Sequence, residues 1–206
     1  PGDKVIKSQK VLASKDHADF YHALVSHWDD TNSLVHGSEQ TDSILDNLNT
    51  NLPLNNIEQM MVLDTLTYLQ DDILVKVDRA AMGVSLETRV PFLDRDIVEF
   101  AWRLPISMKM KNKQSKWILR NILYNYIPKD IVERPKMGFG IPVDQWLRGP
   151  LRDWGESLLD STRLNNEGYL NAQLIRKKWD EHQSGKNNWQ YLLWGVLMFQ
   201  QWLSNK

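Results

Sequence analysis

Cysteine is absent from the 206 residues. That excludes disulfides, thiolate metal sites and a cysteine nucleophile within the chain. It fits a reducing compartment, and a cytoplasmic location is the expectation. A surplus of charge of one sign is also missing: 25 Lys and Arg stand against 26 Asp and Glu, for a net charge of −1. Proteins that grip nucleic acid carry basic side chains in excess to neutralise phosphates. No basic stripe with interleaved aromatics occurs either, so no nucleic-acid partner is expected. Long hydrophobic runs are lacking too. The most apolar stretch, Tyr191 to Phe199, falls short of the roughly 20 residues a bilayer span needs and reads as a buried terminal helix. No membrane association is expected. Pro1 to Lys10 holds no apolar core with a cleavage signal, so a secretory leader is not expected there. A first residue of Pro rather than Met points to processing or a cut boundary. Internal repeats and low-complexity tracts are lacking as well.

What is present suits an ordinary folded protein. Hydrophobic residues make up 42% of the chain, enough to build one sizeable core, and nine tryptophans read as anchors of it. One helical domain over 1–206 is expected. Phe20, Leu24, Val25 and Trp28 recur at helical spacing behind Asp16, a candidate N-cap. His36 to Thr50 is polar, with at most a short helix around Ile44, Leu45 and Leu48. Pro53 and Asn55-Asn56 punctuate the chain before a helix carrying Ile57, Met60, Met61, Asp64, Tyr68 and Leu69. Asp71 or Asp72 then caps a third, ending near Gly83. Asp94 opens another, stopped by Pro105. Ser115 begins a further helix, stopped by Pro128. After a Gly/Pro-rich segment, Arg134 to Pro150, the tail holds two or three helices, including Leu170 to His182 and Trp189 to Leu203. No run of alternating strands is evident, so the fold class reads as mainly α.

Four polar segments could carry chemistry. In Asp71-Asp72-Ile73-Leu74-Val75-Lys76-Val77-Asp78-Arg79, the spacing puts Asp72, Lys76 and Arg79 on one helix face. Two cations beside a carboxylate can grip a polyphosphate and its magnesium ion. The same spacing also describes a solvated face with ion pairs worth ~0.3–0.5 kcal/mol each. In Ser85-Leu86-Glu87-Thr88-Arg89-Val90-Pro91-Phe92-Leu93-Asp94, Glu87 and Arg89 sit inside an apolar, Pro-stopped stretch. Held there, they are expected to be partly desolvated and to need each other or a ligand. An ion pair that pins the loop is the plainer alternative. Lys116 falls in the first turn of a helix, where the dipole disfavours cations unless an anion lies between; a surface lysine is the ordinary case. Finally, Arg134-Pro135-Lys136-Met137-Gly138-Phe139-Gly140-Ile141-Pro142 has glycines that permit close backbone approach to a ligand, or simply a turn. It is not a Walker loop.

Taken together these segments resemble the asparagine synthase family. Tyr68 to Met82, Ser85 to Asp94, Ser115-Lys116-Trp117-Ile118-Leu119-Arg120 and Arg134 to Pro142 occur in the family's order and at its spacing. The clear resemblance covers 61–152. Gln70 stands where many relatives have proline. Three family features are missing from the chain: the glutaminase domain that begins with a catalytic cysteine, the Ser-Gly-Gly-x-Asp-Ser nucleotide loop, and the later acidic Gly-rich signature. The resemblance therefore implies the helical C-terminal portion of an adenine-nucleotide α-hydrolase-like (ATP pyrophosphatase) synthetase domain, incomplete as an enzyme.

Family members activate the side chain of aspartate with Mg2+ and ATP, and ammonia derived from glutamine attacks the β-aspartyl-adenylate. By resemblance, Lys116 is a catalytic cation at the α-phosphate or the tetrahedral intermediate, and Glu87 stands near the reacting carbonyl or amine. Lys76 and Arg79 face the pyrophosphate, with Asp72 and Asp78 orienting them or a magnesium ion. Arg89 holds Glu87, and Lys136, Gly138 and Gly140 close a loop. No metal ligand set is assigned within the chain. The implied partners are aspartate, ATP, ammonia and the glutaminase and nucleotide-loop segments of the same polypeptide, with a homodimer as a further option. Two other readings stay open: a related adenylating synthetase that closes β-lactam rings or joins peptide ends, and a non-catalytic helical interaction module.

Overall fold

In the computed structural model, residues 11–15, 17–28, 30–38, 53–135 and 140–206 are described. The chain divides into two units, residues 1–72 with 141–206 and residues 73–140. The architecture is mainly α. In chain order come α1 (His17–Val25), α2 (Thr31–Leu34), α3 (Asn56–Leu66), a π-helical segment (Leu69–Leu74), α4 (Val75–Met82) and a 3-10 turn (Pro91–Leu93). Next are α5 (Arg95–Arg103), α6 (Ile106–Lys109), the strands β1 (Met110–Lys111) and β2 (Gln114–Ser115), α7 (Trp117–Leu123) and α8 (Lys129–Val132). The tail holds α9 (Val143–Arg148), α10 (Arg152–Leu158), α11 (Ser161–Glu167), α12 (Ala172–Gln183) and α13 (Gln190–Ser204).

Helix starts follow their caps. The Asn55 side chain accepts from the N–H groups of Ile57 and Glu58, while Glu58 reaches back to the Asn55 N–H, a complete capping box. Asp30 caps α2, and Asp94 caps α5 by accepting from Asp96 and Ile97, as its position before an apolar-periodic run predicts. Asp71 and Asp72 do not cap a third helix. Both lie inside the π-helical segment, because the backbone continues without a break there: the Asp71 N–H donates to the Thr67 carbonyl at 2.8 Å. The expected cap Asp16 and the expected short helix around Ile44 lie outside the described residues.

The unit formed by residues 1–72 and 141–206 has a true core. Helices α9 to α13 bury Leu147, Leu159, Leu164, Ile175, Leu193 and Leu197 completely, each of them worth about 1.5–3 kcal/mol against exposure. Trp179 lies among them, and Trp28, Trp154, Trp189 and Trp194 pack around it half-buried. Trp202 is 51% exposed and no anchor. The terminal helix α13 is buried on one face only: Tyr191 and Met198 point outward, because the apolar sequence there exceeds what one face can cover. Leu34 joins this core from α2, tied by a bridge between Val35 and Leu170 and by the Asn171 N–H to the Leu34 carbonyl at 2.8 Å. A smaller contact joins α1 to α3, where buried Tyr21 donates to Asp64 at 2.8 Å and packs near Leu63. No described helix is long and apolar enough to cross a membrane.

The unit of residues 73–140 is built differently. None of its described residues is buried. Val84 is 77% exposed, and Leu86, Phe92 and Phe100 are each more than half exposed. Its order comes from local rules. Pro105 ends α5, and β1 pairs antiparallel with β2 across Asn112 and Lys113. Both turn residues have positive φ, at 51° and 62°, the combination that suits a two-residue hairpin.

Candidate functional site

Most of the residues singled out by sequence fall in the unit of residues 73–140. Lys76, Asp78 and Arg79 occupy one face and shoulder of α4, and all three are exposed. Asp72 lies in the π-helical segment just before it, also exposed. Val77 on the same helix is 38% exposed.

Glu87 and Arg89 do meet. The Arg89 Nη2 donates to Glu87 Oε1 at 2.6 Å. The expected desolvation is not found: the side chains are 70% and 85% exposed, because no other described segment covers the loop that carries them. A pair this exposed contributes no more than about 1 kcal/mol. Its effect is geometric, since it fixes the direction of the Glu87 carboxylate.

Lys116 is not inside the first turn of α7 but at its N-cap, and it supplies no side-chain cap. Its backbone is left-handed, with φ 57° and ψ 35°. A lysine in that conformation costs roughly 1 kcal/mol and persists only where neighbours hold it. The hairpin before it and the helix after it set the kink that sends the exposed Lys116 side chain out of both elements. Helix α7 has only seven residues, too short for its dipole to make an anion site unaided. Lys136 and Gly138 lie outside the described residues, and Gly140 is exposed with open space around its Cα.

A network that local spacing does not reveal surrounds Lys116. Glu133 Oε1 accepts from Arg120 Nη1 at 2.5 Å, from Gln114 Nε2 at 3.1 Å and from the Tyr124 hydroxyl. Arg120 also donates from Nε to the Ser115 carbonyl at 2.9 Å. The Tyr124 hydroxyl and the Arg120 guanidinium hold the Glu133 carboxyl below its usual range. Tyr124 and Glu133 in turn push the Arg120 guanidinium up. These partners lie 9 to 19 residues from Glu133, so no helical or strand period connects them.

Among the described residues no group of three His, Asp or Glu is placed to hold a metal ion.

These segments thus supply cations on α4, a carboxylate paired with an arginine, and a lysine on a left-handed kink. The family model described as asparagine synthase matches residues 4–204, and the chain belongs to that family. A Mycobacterium tuberculosis protein provisionally named asparagine synthetase (glutamine-hydrolyzing) is 35% identical over 147 residues, 71% of this chain and 22% of the relative. Asparagine synthetase (glutamine-hydrolyzing) 1 of Bacillus subtilis is 30% identical over 150 residues, 73% of this chain and 23% of the relative. The Bos taurus asparagine synthetase (glutamine-hydrolyzing) is 31% identical over 142 residues, covering 59% and 24%. The chain thus spans about a quarter of the length of these relatives. No solved structure gives a significant match.

Proposed function

We propose that this chain is the C-terminal helical part of a glutamine-hydrolysing asparagine synthetase, and that it lends side chains to an aspartate-activating site completed by segments outside it. The match of the asparagine synthase model to residues 4–204 carries this reading. In the proposed reaction an oxygen of the aspartate side-chain carboxylate attacks the α-phosphorus of ATP, forming the β-aspartyl-adenylate and releasing pyrophosphate. Ammonia from glutamine then attacks the acyl carbon, and AMP leaves with asparagine as product. The adenine-nucleotide α-hydrolase-like fold belongs to this proposal, as do ATP and Mg2+ as the bound species.

The chain's own contribution is electrostatic. Charge grows on the pyrophosphate as it departs and on the acyl oxygen as ammonia adds, and fixed cations in a covered site stabilise both. Lys76 and Arg79 lie three residues apart on α4, a spacing that lets both point at one polyanion. Asp72 and Asp78 orient them. Lys116 meets the α-phosphate or the tetrahedral intermediate from the kink before α7. Glu87 stands by the acyl carbon or the incoming amine, and its 2.6 Å pairing with Arg89 supports the orienting role given to that arginine. Lys136, Gly138 and Gly140 form the closing loop.

The test belongs in the full-length polypeptide. Aspartate-dependent exchange of pyrophosphate into ATP should be present, and Lys116→Ala should lower it by at least about 100-fold, the scale of removing one such donor, with glutaminase activity retained. Normal exchange in that variant removes Lys116 from the mechanism. Substituting other carboxylic acids for aspartate separates an asparagine synthetase from a ring-closing or peptide-joining relative.

A further inference from the structure

We propose that Glu133 is a positioning residue for Lys116: through Arg120 and Gln114 it anchors β2 and the start of α7, so that the lysine between them is held on its left-handed kink. The inference rests on the role proposed above for Lys116.

The connections run on both sides of that lysine. Gln114 and Ser115 form β2, immediately before it. The Gln114 side chain donates to Glu133 Oε1 at 3.1 Å, and the Ser115 carbonyl accepts from Arg120 Nε at 2.9 Å. On the other side, the Arg120 N–H donates to the Lys116 carbonyl at 2.9 Å, closing the first turn of α7. Arg120 is thus bonded to the kink residue and to the residue before it, and its side chain is only 17% exposed. What fixes the guanidinium is Glu133, through a 2.5 Å bond to Nη1. Tyr124, at the C-terminal end of α7, donates to the same carboxylate oxygen. A single carboxylate oxygen therefore ties β2 to the middle and the C-terminal end of the helix.

This arrangement answers a physical need. A non-glycine residue in the left-handed region relaxes unless its surroundings over-determine it. A catalytic cation loses much of its effect when displaced by about 1 Å, a shift that costs on the order of 100-fold in rate. The planar, forked guanidinium suits the task, since it can bond a carboxylate and a carbonyl in fixed directions. Lysine at position 120 has its donors on one nitrogen and does not reproduce the two fixed directions from Nε and Nη1.

The experiment uses the full-length protein and aspartate-dependent pyrophosphate exchange, with kcat and KM measured separately and circular dichroism with limited proteolysis as the control for folding. Glu133→Ala should lower kcat by roughly 10- to 100-fold while the KM for aspartate and ATP stays within about twofold. Arg120→Lys should behave the same way. Glu133→Gln, which keeps an acceptor for all three donors, should recover several-fold over Glu133→Ala, and it serves with Arg120→Lys if the alanine variant does not fold. In the residual exchange of Lys116→Ala, adding Glu133→Ala should cause no further loss. A kcat within twofold of wild type for Glu133→Ala and Arg120→Lys overturns the positioning role, as does an additive loss in the double variant. Both results leave the synthetase reading standing if Lys116→Ala alone is impaired. Absence of exchange in the wild-type protein overturns that reading instead.

Discussion

His182 shows how much one side chain can set the pH response of a core. It is completely buried, and its Nδ1 accepts the Trp189 N–H at 3.2 Å, so the neutral ring carries its proton on Nε2. Burial lowers its pKa below the ordinary 6.5, the Arg148 guanidinium adds to the effect, and Asp144 opposes it. A pKa lower in the folded state means the unfolded chain binds the proton more readily. The stabilisation is therefore complete above about pH 6.5 and is lost as pH falls from there toward the folded value, by at most about 1.4 kcal/mol per pH unit. Thermal unfolding of this chain between pH 5.5 and 7.5 should show a midpoint that falls on the acid side. His182→Asn should lower the midpoint throughout but flatten its slope. An unchanged slope in that variant would assign the acid sensitivity to another group. Nothing near position 182 in the sequence announces this burial: the histidine reads as one more polar residue at the end of a helix, and Asp144 and Arg148 are more than 30 residues away.

Helices and their contacts give a more even correspondence between sequence and structure. Capped, strongly periodic segments were legible: α5 behind Asp94, and α12 and α13 in the tail lie where apolar spacing and punctuation put them, and α3 starts behind Asn55 as expected but ends at Leu66, short of Tyr68 and Leu69. The π-helical segment over Leu69–Leu74 was not, because an inserted residue leaves the composition unchanged. The hairpin at Met110–Ser115 has two residues per strand, too few to display a period of two. Of the candidate site, the cations on α4 and the Glu87–Arg89 pair could be read from spacing. The left-handed kink at Lys116 and the Glu133 network could not, since both depend on residues brought together by the fold. Helix packing likewise shows one close contact that sequence does not mark. A Cβ on Gly155 of α10 would lie 2.6 Å from Cη2 of Trp179 on α12, a ring 1% exposed with its indole N–H donated to Glu156. With that ring pinned, Gly155→Ala should destabilise the chain by ~1–3 kcal/mol from overpacking, outweighing the gain of about 1 kcal/mol in helix propensity. Gly195→Ala in α13, where nothing lies within 4 Å, should instead stabilise by about 0.5–1 kcal/mol. Urea unfolding followed by tryptophan fluorescence reads both; equal and favourable shifts would mean that the Trp179 ring yields.

At the scale of the whole molecule, the two units differ in what holds them. In one, α9 to α13 enclose a core of leucines around Trp179. In residues 73–140, all described side chains keep some contact with solvent, and large apolar groups such as Phe92, Phe100 and Tyr126 lie more than half exposed. Such a segment has little burial to offset the entropy of ordering its backbone, about 1–2 kcal/mol per residue. The proposed function accounts for the difference, because the relatives are about three times as long and offer chain to cover these side chains. Hydrogen exchange distinguishes the two situations. In the 206-residue chain alone, amides around Leu193 and Leu197 should exchange slowly, near the global unfolding rate, whereas those of α4, α5 and α7 should exchange within seconds to minutes. In the full-length polypeptide the second group should slow by at least about tenfold, since covering apolar surface raises the local opening energy by more than about 1.4 kcal/mol. The order matters as well as the size: slowing should be greatest at Val84 to Leu93, the most exposed apolar stretch. Equal exchange in the short and long chains would show that residues 73–140 remain uncovered in both. Lys76, Arg79, Glu87 and Lys116 would then face water, where fixed cations gain too little from a phosphate to carry the proposed chemistry.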